Sequence, residues 1–361
     1  MKAWKRIAIT TSAVVIVAGA GMALRTAKMA GSFDEVAAKP LPCRAIAGVT
    51  GAEDMQVDAR DRLLIASATD RRRMGDGRGD GKVSGADGIY ALALDRPDAG
   101  FVRLAGAPSV FHPHGISLFR AADGSLTLMA VNHLTPDHHA VDIFQVLVEN
   151  GTARLNEVGA IEGDKLIHPN DVVAVGEAQF YVTNDHGSRT DLGMTLENYL
   201  TLPRADVLYY DGTTFREAAA GLVFANGINV SNDGRHVYVA ESTMRRVQSF
   251  ARNVFSGRLT PEATLDMPAG PDNIDVASDG TLWIAGHPKM FDLVAYSSDP
   301  SKPSPTEIFK APAKGGVPQP AEPVYVDLGP ALGAGSVGVT AGRDLYIGSI
   351  FDPKVLRCRL P

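Results

Sequence analysis

Oxygen-bearing side chains recur along this chain at one point of a repeating pattern: Glu53 and Asp54, Asn170 and Asp171, Asn226, and Asp272 with Asn273. Each opens an alternating apolar run, followed by a turn and a second apolar run, as in FANGINVSNDGRHVYVAES from Phe224 to Ser242. Carboxylate and amide oxygens are the ligands a hard cation takes, and calcium binds several at once. Glu53, Asn170, Asn226, Asp272 and Asn273 make one such set: the two carboxylates balance a divalent charge, and the amides complete the shell without adding repulsion. Asp54 and Asp171 directly follow two of these ligands. Because adjacent strand residues point to opposite faces, they suit a second ion beneath the first.

His114 stands at the same pattern position in another unit, and His133 ends the second run of that unit. A histidine near neutrality takes a proton from water, and a second one steers its tautomer and carries the proton away. Other chemistries lack their markers. There is no HExxH or CxxC, and His138-His139, after Pro136-Asp137, read as a surface turn rather than a zinc site. Nor is there a Gly-x-Ser-x-Gly elbow for a serine nucleophile or a glycine-rich phosphate loop. A net charge of −6 excludes a nucleic-acid binder on charge.

Such residues need elements that bring them to one place. With Ser336 opening a sixth unit, successive anchors lie 47 to 63 residues apart, close to one four-stranded propeller blade each. The reading is an all-β chain forming a six-bladed β-propeller with a central tunnel, whose innermost strands all start at one ring. The 361 residues, 45% hydrophobic, suffice for one such core. Lys2, Lys5 and Arg6 precede Ile7 to Leu24, an uncharged stretch that reads as an export signal or membrane anchor, so residues 1–28 are assigned to targeting. Residues 29–42 read as a tether and 43–361 as the propeller. The protein is thus expected outside the cytoplasm, anchored in a membrane or secreted or periplasmic. Cys43 and Cys358 are the only cysteines; they form either a ring-closing disulfide or two separate thiols. The Gly-rich, charged break between Ile65 and Tyr90, with its Arg78-Gly79-Asp80, reads as a solvated loop and does not meet calcium-loop spacing. Asp299 to Pro323 reads as a long connection in the penultimate blade.

From about Cys43 to Cys358 the chain resembles the paraoxonases, a family of calcium-dependent lactonases and arylesterases. The motifs stand in family order: GAED at Gly51 to Asp54, PHGIS at Pro113 to Ser117, VNH at Val131 to His133, PNDVVAVG at Pro169 to Gly176, YVTNDH at Tyr181 to His186, FANGIN at Phe224 to Asn229, DNI at Asp272 to Ile274 and LWIAGHP at Leu282 to Pro288. The resemblance implies six blades and two calcium ions. Glu53, Asn170, Asn226, Asp272 and Asn273 would hold the catalytic ion, and Asp54, Asp171 and the Ile116 carbonyl the structural one. It further implies a His114–His133 dyad supported by Asp185 and His186, a Cys43–Cys358 disulfide, and a retained hydrophobic N-terminus. Two departures bear on substrate. Gly286 stands where the family often has a cysteine before the histidine, here His287, and 69–84 is charged and Gly-rich where the family has an aromatic flap. Two functions follow: a hydrolase of lactones and aryl esters, or a calcium-stabilised propeller serving as a non-catalytic ligand-binding or scaffold module.

Overall fold

The computed structural model describes residues 19–73, 85–149 and 152–361. Within them the strands form six four-stranded antiparallel sheets arranged as propeller blades. The first five blades follow the chain, with innermost strands Ala52–Asp58, Pro113–Arg120, Pro169–Ala174, Ala225–Val230 and Gly270–Val276. The sixth takes Gly335–Ala341, Asp344–Ser349 and Lys354–Arg359 from the end of the chain and its outermost strand, Cys43–Ala47, from the beginning. Cys43 pairs with Cys358 in the antiparallel register, and the two are joined by a disulfide, as the resemblance implied.

The strand period explains the seams between blades. Leu63 and Ile65 face the second blade, packing with Ile116, Leu128 and Phe144, whereas Leu64 and Ala66 face the sixth, packing with Val337 and Tyr346. Alternate residues of one strand thus feed two cores, and each fully buried aliphatic or aromatic side chain stabilises the ring by roughly 1.5–3 kcal/mol.

In all six blades the pairing of the first two strands slips at the anchor: between Ala52 and Asp54, Pro113 and Ile116, Pro169 and Val172, Ala225 and Ile228, Pro271 and Ile274, and Gly335 and Val337. A bulge takes its extra residue out of the ladder and re-aims its side chain. This repeated irregularity frees the anchors to face the tunnel.

Three parts of the sequence reading need correction. The Asp299–Pro323 segment is not merely a connection: it contains the third strand of the fifth blade, Thr306–Ala311, and a small hairpin pairing Ala313–Lys314 with Val317–Pro318. The break after Ile65 is not solvated throughout, because Arg71 is buried and the Arg72 guanidinium lies 4.5 Å from the Tyr296 ring centre and 4.8 Å from that of Phe351. Arg78-Gly79-Asp80 falls outside the described residues. Nor does the segment before Cys43 hang free: Ala30 O accepts from Met290 N, Asp34 pairs with Arg245 at 2.6 Å, and Lys39 bridges to Val326. Most of Ile7–Leu24 lies outside the described residues. The helix visible at 19–29 (α1) rests beside the propeller, with Thr26 Oγ1 donating to Tyr199 O. No helix among the described residues is long and apolar enough to cross a membrane.

Candidate active site

One mouth of the tunnel opens into a cavity of about 510 Å³ lined by Glu53, His114, His133, Asn170, Asn226 and Asp272. A larger hollow of about 1000 Å³ lies at the other ends of the innermost strands, around Val57, Val276 and Thr340, and gathers none of these residues. The smaller cavity is therefore the candidate site.

Two helices roof that cavity, and the sequence reading did not foresee them. Helix α2 (Asp191–Leu200) starts at Thr190, whose hydroxyl accepts from Gly193 N, and α3 spans Met290–Ser298. Buried Glu197 accepts from Gly187 N at 2.9 Å and Ser188 Oγ at 2.5 Å, which ties α2 to the loop after His186. Asn198 of the same helix meets His186 Nε2 at 3.0 Å.

The four side chains Glu53, Asn170, Asn226 and Asn273 each present a buried oxygen with no hydrogen-bond partner: Glu53 Oε2 and the Oδ1 atoms of the three asparagines. Buried polar atoms are rarely left so. Each amide is oriented by its other end. Asn170 Nδ2 donates to Asp185 Oδ2 at 3.1 Å, Asn226 Nδ2 to Ser242 Oγ at 3.0 Å, and Asn273 Nδ2 to Glu53 Oε1 at 2.8 Å. Asp272 is held by His287 Nε2 at 2.7 Å. The donor set is all oxygen, part anionic and part neutral, which fits calcium and does not suit a thiolate- or imidazole-seeking metal. Burial, opposed by Arg71 and reinforced by Asp272, pushes the Glu53 carboxyl up to about 7. A cation would reverse that.

Asp54 and Asp171 lie one layer deeper. Asp54 accepts from Met55 N and Ile116 N, both at 2.8 Å, and Asp171 from Val172 N and Ile228 N, both at 2.7 Å. Burial pushes both carboxyls well above the ordinary range, and the Asp171 charge adds to the effect on Asp54. The inner strands approach closely here. A Cβ on Gly115 would fall 2.1 Å from Asp171 Oδ1, and one on Gly227 2.5 Å from Asp272 O, so neither position admits a side chain without displacement. The Ile116 carbonyl accepts from Gln56 Nε2 at 3.2 Å. Ser336, the sixth anchor, adds no tunnel ligand; its hydroxyl donates to Glu53 O at 2.7 Å.

His114 Nδ1 and His133 Nε2 are 2.9 Å apart, and His114 Nε2 faces Glu53 Oε2 at 3.7 Å. Burial holds both rings well below the usual histidine range, with Arg71 adding to the effect on His114 and His114 to that on His133. The structure corrects the reading of His138-His139 in half: His138 is exposed and bonded to Glu162, but His139 is buried, with Nδ1 3.0 Å from His133 Nδ1.

Asp185 accepts from two rings, His168 Nδ1 and His186 Nδ1, each at 2.6 Å. Burial works to raise this carboxyl, and the two rings outweigh it and hold it well below the usual range. His168, Asp185 and His186 bring ligand atoms within 4.8 Å of one another, yet these contacts already satisfy the carboxylate and orient Asn170.

A family model described as Arylesterase matches residues 86–360. The chain belongs to the arylesterase family. It is 34% identical to human serum paraoxonase/arylesterase 1 over 70% of this chain and 69% of that one, and 31% identical to serum paraoxonase/arylesterase 2 of Gallus gallus over 88% of each. Among solved structures, a luciferin-regenerating enzyme (TM-score 0.52, 14% identity, 87% and 92% of the two chains) and a gluconolactonase from Xanthomonas campestris (0.51, 16%, 90% and 98%) share the propeller.

Within this arylesterase-family chain, the sequence reading missed Arg71, His139, His168, Asn198, Ser242 and His287. His139 carried a local signal as the second of a histidine pair, and His287 stood in the LWIAGHP motif at the end of a strand. Arg71, His168, Asn198 and Ser242 reach the site through the folding of turns, loops and α2.

Proposed function

We propose that this protein is a calcium-dependent hydrolase of lactones and aryl esters. The observation that carries the reading is the four buried oxygens of Glu53, Asn170, Asn226 and Asn273 that make no hydrogen bond, the first three residues lining a cavity that also holds the His114–His133 pair. Membership of the arylesterase family supports the hydrolase class.

In this reading Glu53, Asn170, Asn226, Asp272 and Asn273 hold the catalytic calcium, and Asp54, Asp171 and the Ile116 carbonyl hold a second, structural one. When bound, the catalytic ion supplies polarisation of the substrate carbonyl and stabilisation of the charge that develops on its oxygen. His114 receives the proton of the attacking water at Nε2, the nitrogen turned toward Glu53. His133 fixes the tautomer by accepting from His114 Nδ1. Asp185, with His186 and His168, locks Asn170 so that its oxygen points inward. Met194, Leu293 and Phe351 line the cavity and exclude bulk water from the reacting centre.

A non-catalytic propeller would need only the deep layer at Asp54 and Asp171. The upper ring opens on a cavity instead, which favours catalysis. The Cys43–Cys358 disulfide supports export, with residues 1–28 acting as a signal peptide or a membrane anchor; N-terminal sequencing of mature protein distinguishes cleavage from retention. The deciding assay is hydrolysis of a lactone and of phenyl acetate with and without chelator. Turnover that survives exhaustive chelation overturns the calcium reading, and no turnover of either substrate in calcium-replete protein overturns the hydrolase reading.

A further inference from the structure

Hydrolysis of an ester at neutral pH yields a carboxylate, an alcohol and one proton, so each turnover must discharge a proton to bulk water. During the reaction the mouth of the cavity is filled by substrate and roofed by α2 and α3. A second hollow of about 610 Å³ opens elsewhere on the surface, lined by Asp137, His138, His139, Glu162, Asp164 and Arg189. His139 connects the two: it is 2% exposed, bonds His133 through Nδ1 at 3.0 Å, and has a buried Nε2 with no partner.

We propose that His139 is the exit stage of a three-histidine proton wire running from His114 through His133 to this side cavity. The inference rests on the reading of His114 as the base.

The nitrogens alternate as such a wire requires. His114 uses Nε2 toward the reacting water and Nδ1 toward His133. His133 uses Nε2 toward His114 and Nδ1 toward His139, and His139 uses Nδ1 toward His133, which leaves its buried Nε2 without a partner on a residue that lines the side cavity. The water O–H bond breaks and its proton binds His114 Nε2. The Nδ1 proton of His114 passes to His133 Nε2, that on His133 Nδ1 passes to His139 Nδ1, and the Nε2 proton of His139 leaves to water in the side cavity. Run in reverse, the same path returns a proton to the departing alkoxide. Every ring ends neutral, and one proton has crossed about three rings without any ion entering the tunnel.

The surroundings of His139 suit a carrier rather than a trap. Burial first, then the neighbouring His168, Arg189 and His138 lower its basicity to about 4, with Asp185 opposing, so it does not retain the proton. The exposed His138–Glu162 pair, 2.6 Å apart, stands at the outlet to accept it.

The test is turnover of phenyl acetate by the full-length, calcium-replete protein in dilute buffer, with added imidazole as the probe. His139→Ala and His139→Gln should each lower kcat at least about tenfold. Gln keeps an acceptor for His133 but cannot pass a proton on. Imidazole should restore His139→Ala in a saturable manner, because the vacated space adjoins the side cavity, and should leave the wild type unchanged. Wild-type kcat in both variants overturns the wire. So does a loss that imidazole does not restore, which would make His139 only a prop for His133. His114→Gln is run alongside: if it alone keeps full turnover, the base assignment fails, whereas its inactivity beside unaffected His139 variants refutes the wire alone. Should His139→Ala melt too low to assay, the Gln variant and its solvent isotope effect decide, a wild-type isotope effect counting against the proposal.

Discussion

The Ser242 hydroxyl accepts from Asn226 Nδ2 at 3.0 Å and donates to Pro271 O at 2.6 Å, so one side chain spans neighbouring blades and turns the Asn226 oxygen inward. Groups that orient a ligand are worth about 10- to 100-fold in metal affinity. Ser242→Ala is therefore expected to weaken calcium binding by about that factor, as read by titration calorimetry, with a smaller change in melting temperature. Unaltered affinity would show that the backbone alone sets Asn226.

Direct ligands and the base should separate cleanly. Asn226→Ala and Asp272→Ala should abolish hydrolysis of both lactones and aryl esters. His114→Gln should lower lactone turnover by about 10²- to 10⁴-fold while calcium affinity stays near normal, since imidazole is not among the oxygen donors. Undiminished lactone turnover in that variant would move the base onto a carboxylate.

Calcium should also hold the ring together. Asp54 and Asp171 carry buried carboxyls whose ionisation burial opposes. A cation that binds the folded state and not the unfolded one stabilises by mass action. Chelation should lower the melting temperature markedly, and restored calcium should recover it. A melting curve indifferent to chelator rules out the deep-layer ion.

The Cys43–Cys358 bond closes a sequence separation of 315 residues in the blade where both ends of the chain meet. The chain-entropy treatment gives a stabilisation on the order of 5 kcal/mol at most. Paired Cys43→Ala and Cys358→Ala substitutions should lower the melting temperature and expose the Cys43–Ala47 strand to hydrogen exchange first. Free-thiol titration of the unfolded, unreduced wild type should find none.

Asp142 offers a pH test away from the metal ligands. Burial, opposed by the hydrogen bond from Asn132 Nδ2 at 2.8 Å and reinforced by Glu157 and Glu162, pushes its carboxyl up to about 7. An unfolded aspartate titrates near 3.9, roughly. The native state therefore holds this proton more tightly; the stability it contributes is full below about pH 4 and is lost as pH rises through about 7. Asp142→Asn should be more stable than the wild type at pH 8, with a difference that shrinks steadily toward pH 4. Equal melting temperatures at pH 8 would mean that Asp142 ionises there without penalty.

Much of this protein is local in origin. The period-2 alternation of runs such as Ile228 to Val239, and the return of an oxygen-bearing residue at the start of each unit, follow from neighbours in the chain, which is why six blades and the ring of Glu53, Asn170, Asn226, Asp272 and Asn273 are legible without coordinates. Strand pairing and inner-strand position are short-range consequences of that pattern. What the chain alone does not disclose depends on long-range approach. Ser242 bridging to Pro271 O of the next blade, Asn198 of α2 meeting His186, and Arg71 entering the cavity join elements whose meeting no periodicity encodes. His139 shows the difference within one dipeptide. Beside exposed His138 it has the composition of a turn, and only the pairing of two long strands brings it opposite His133, where burial and a hydrogen bond give it a different chemistry.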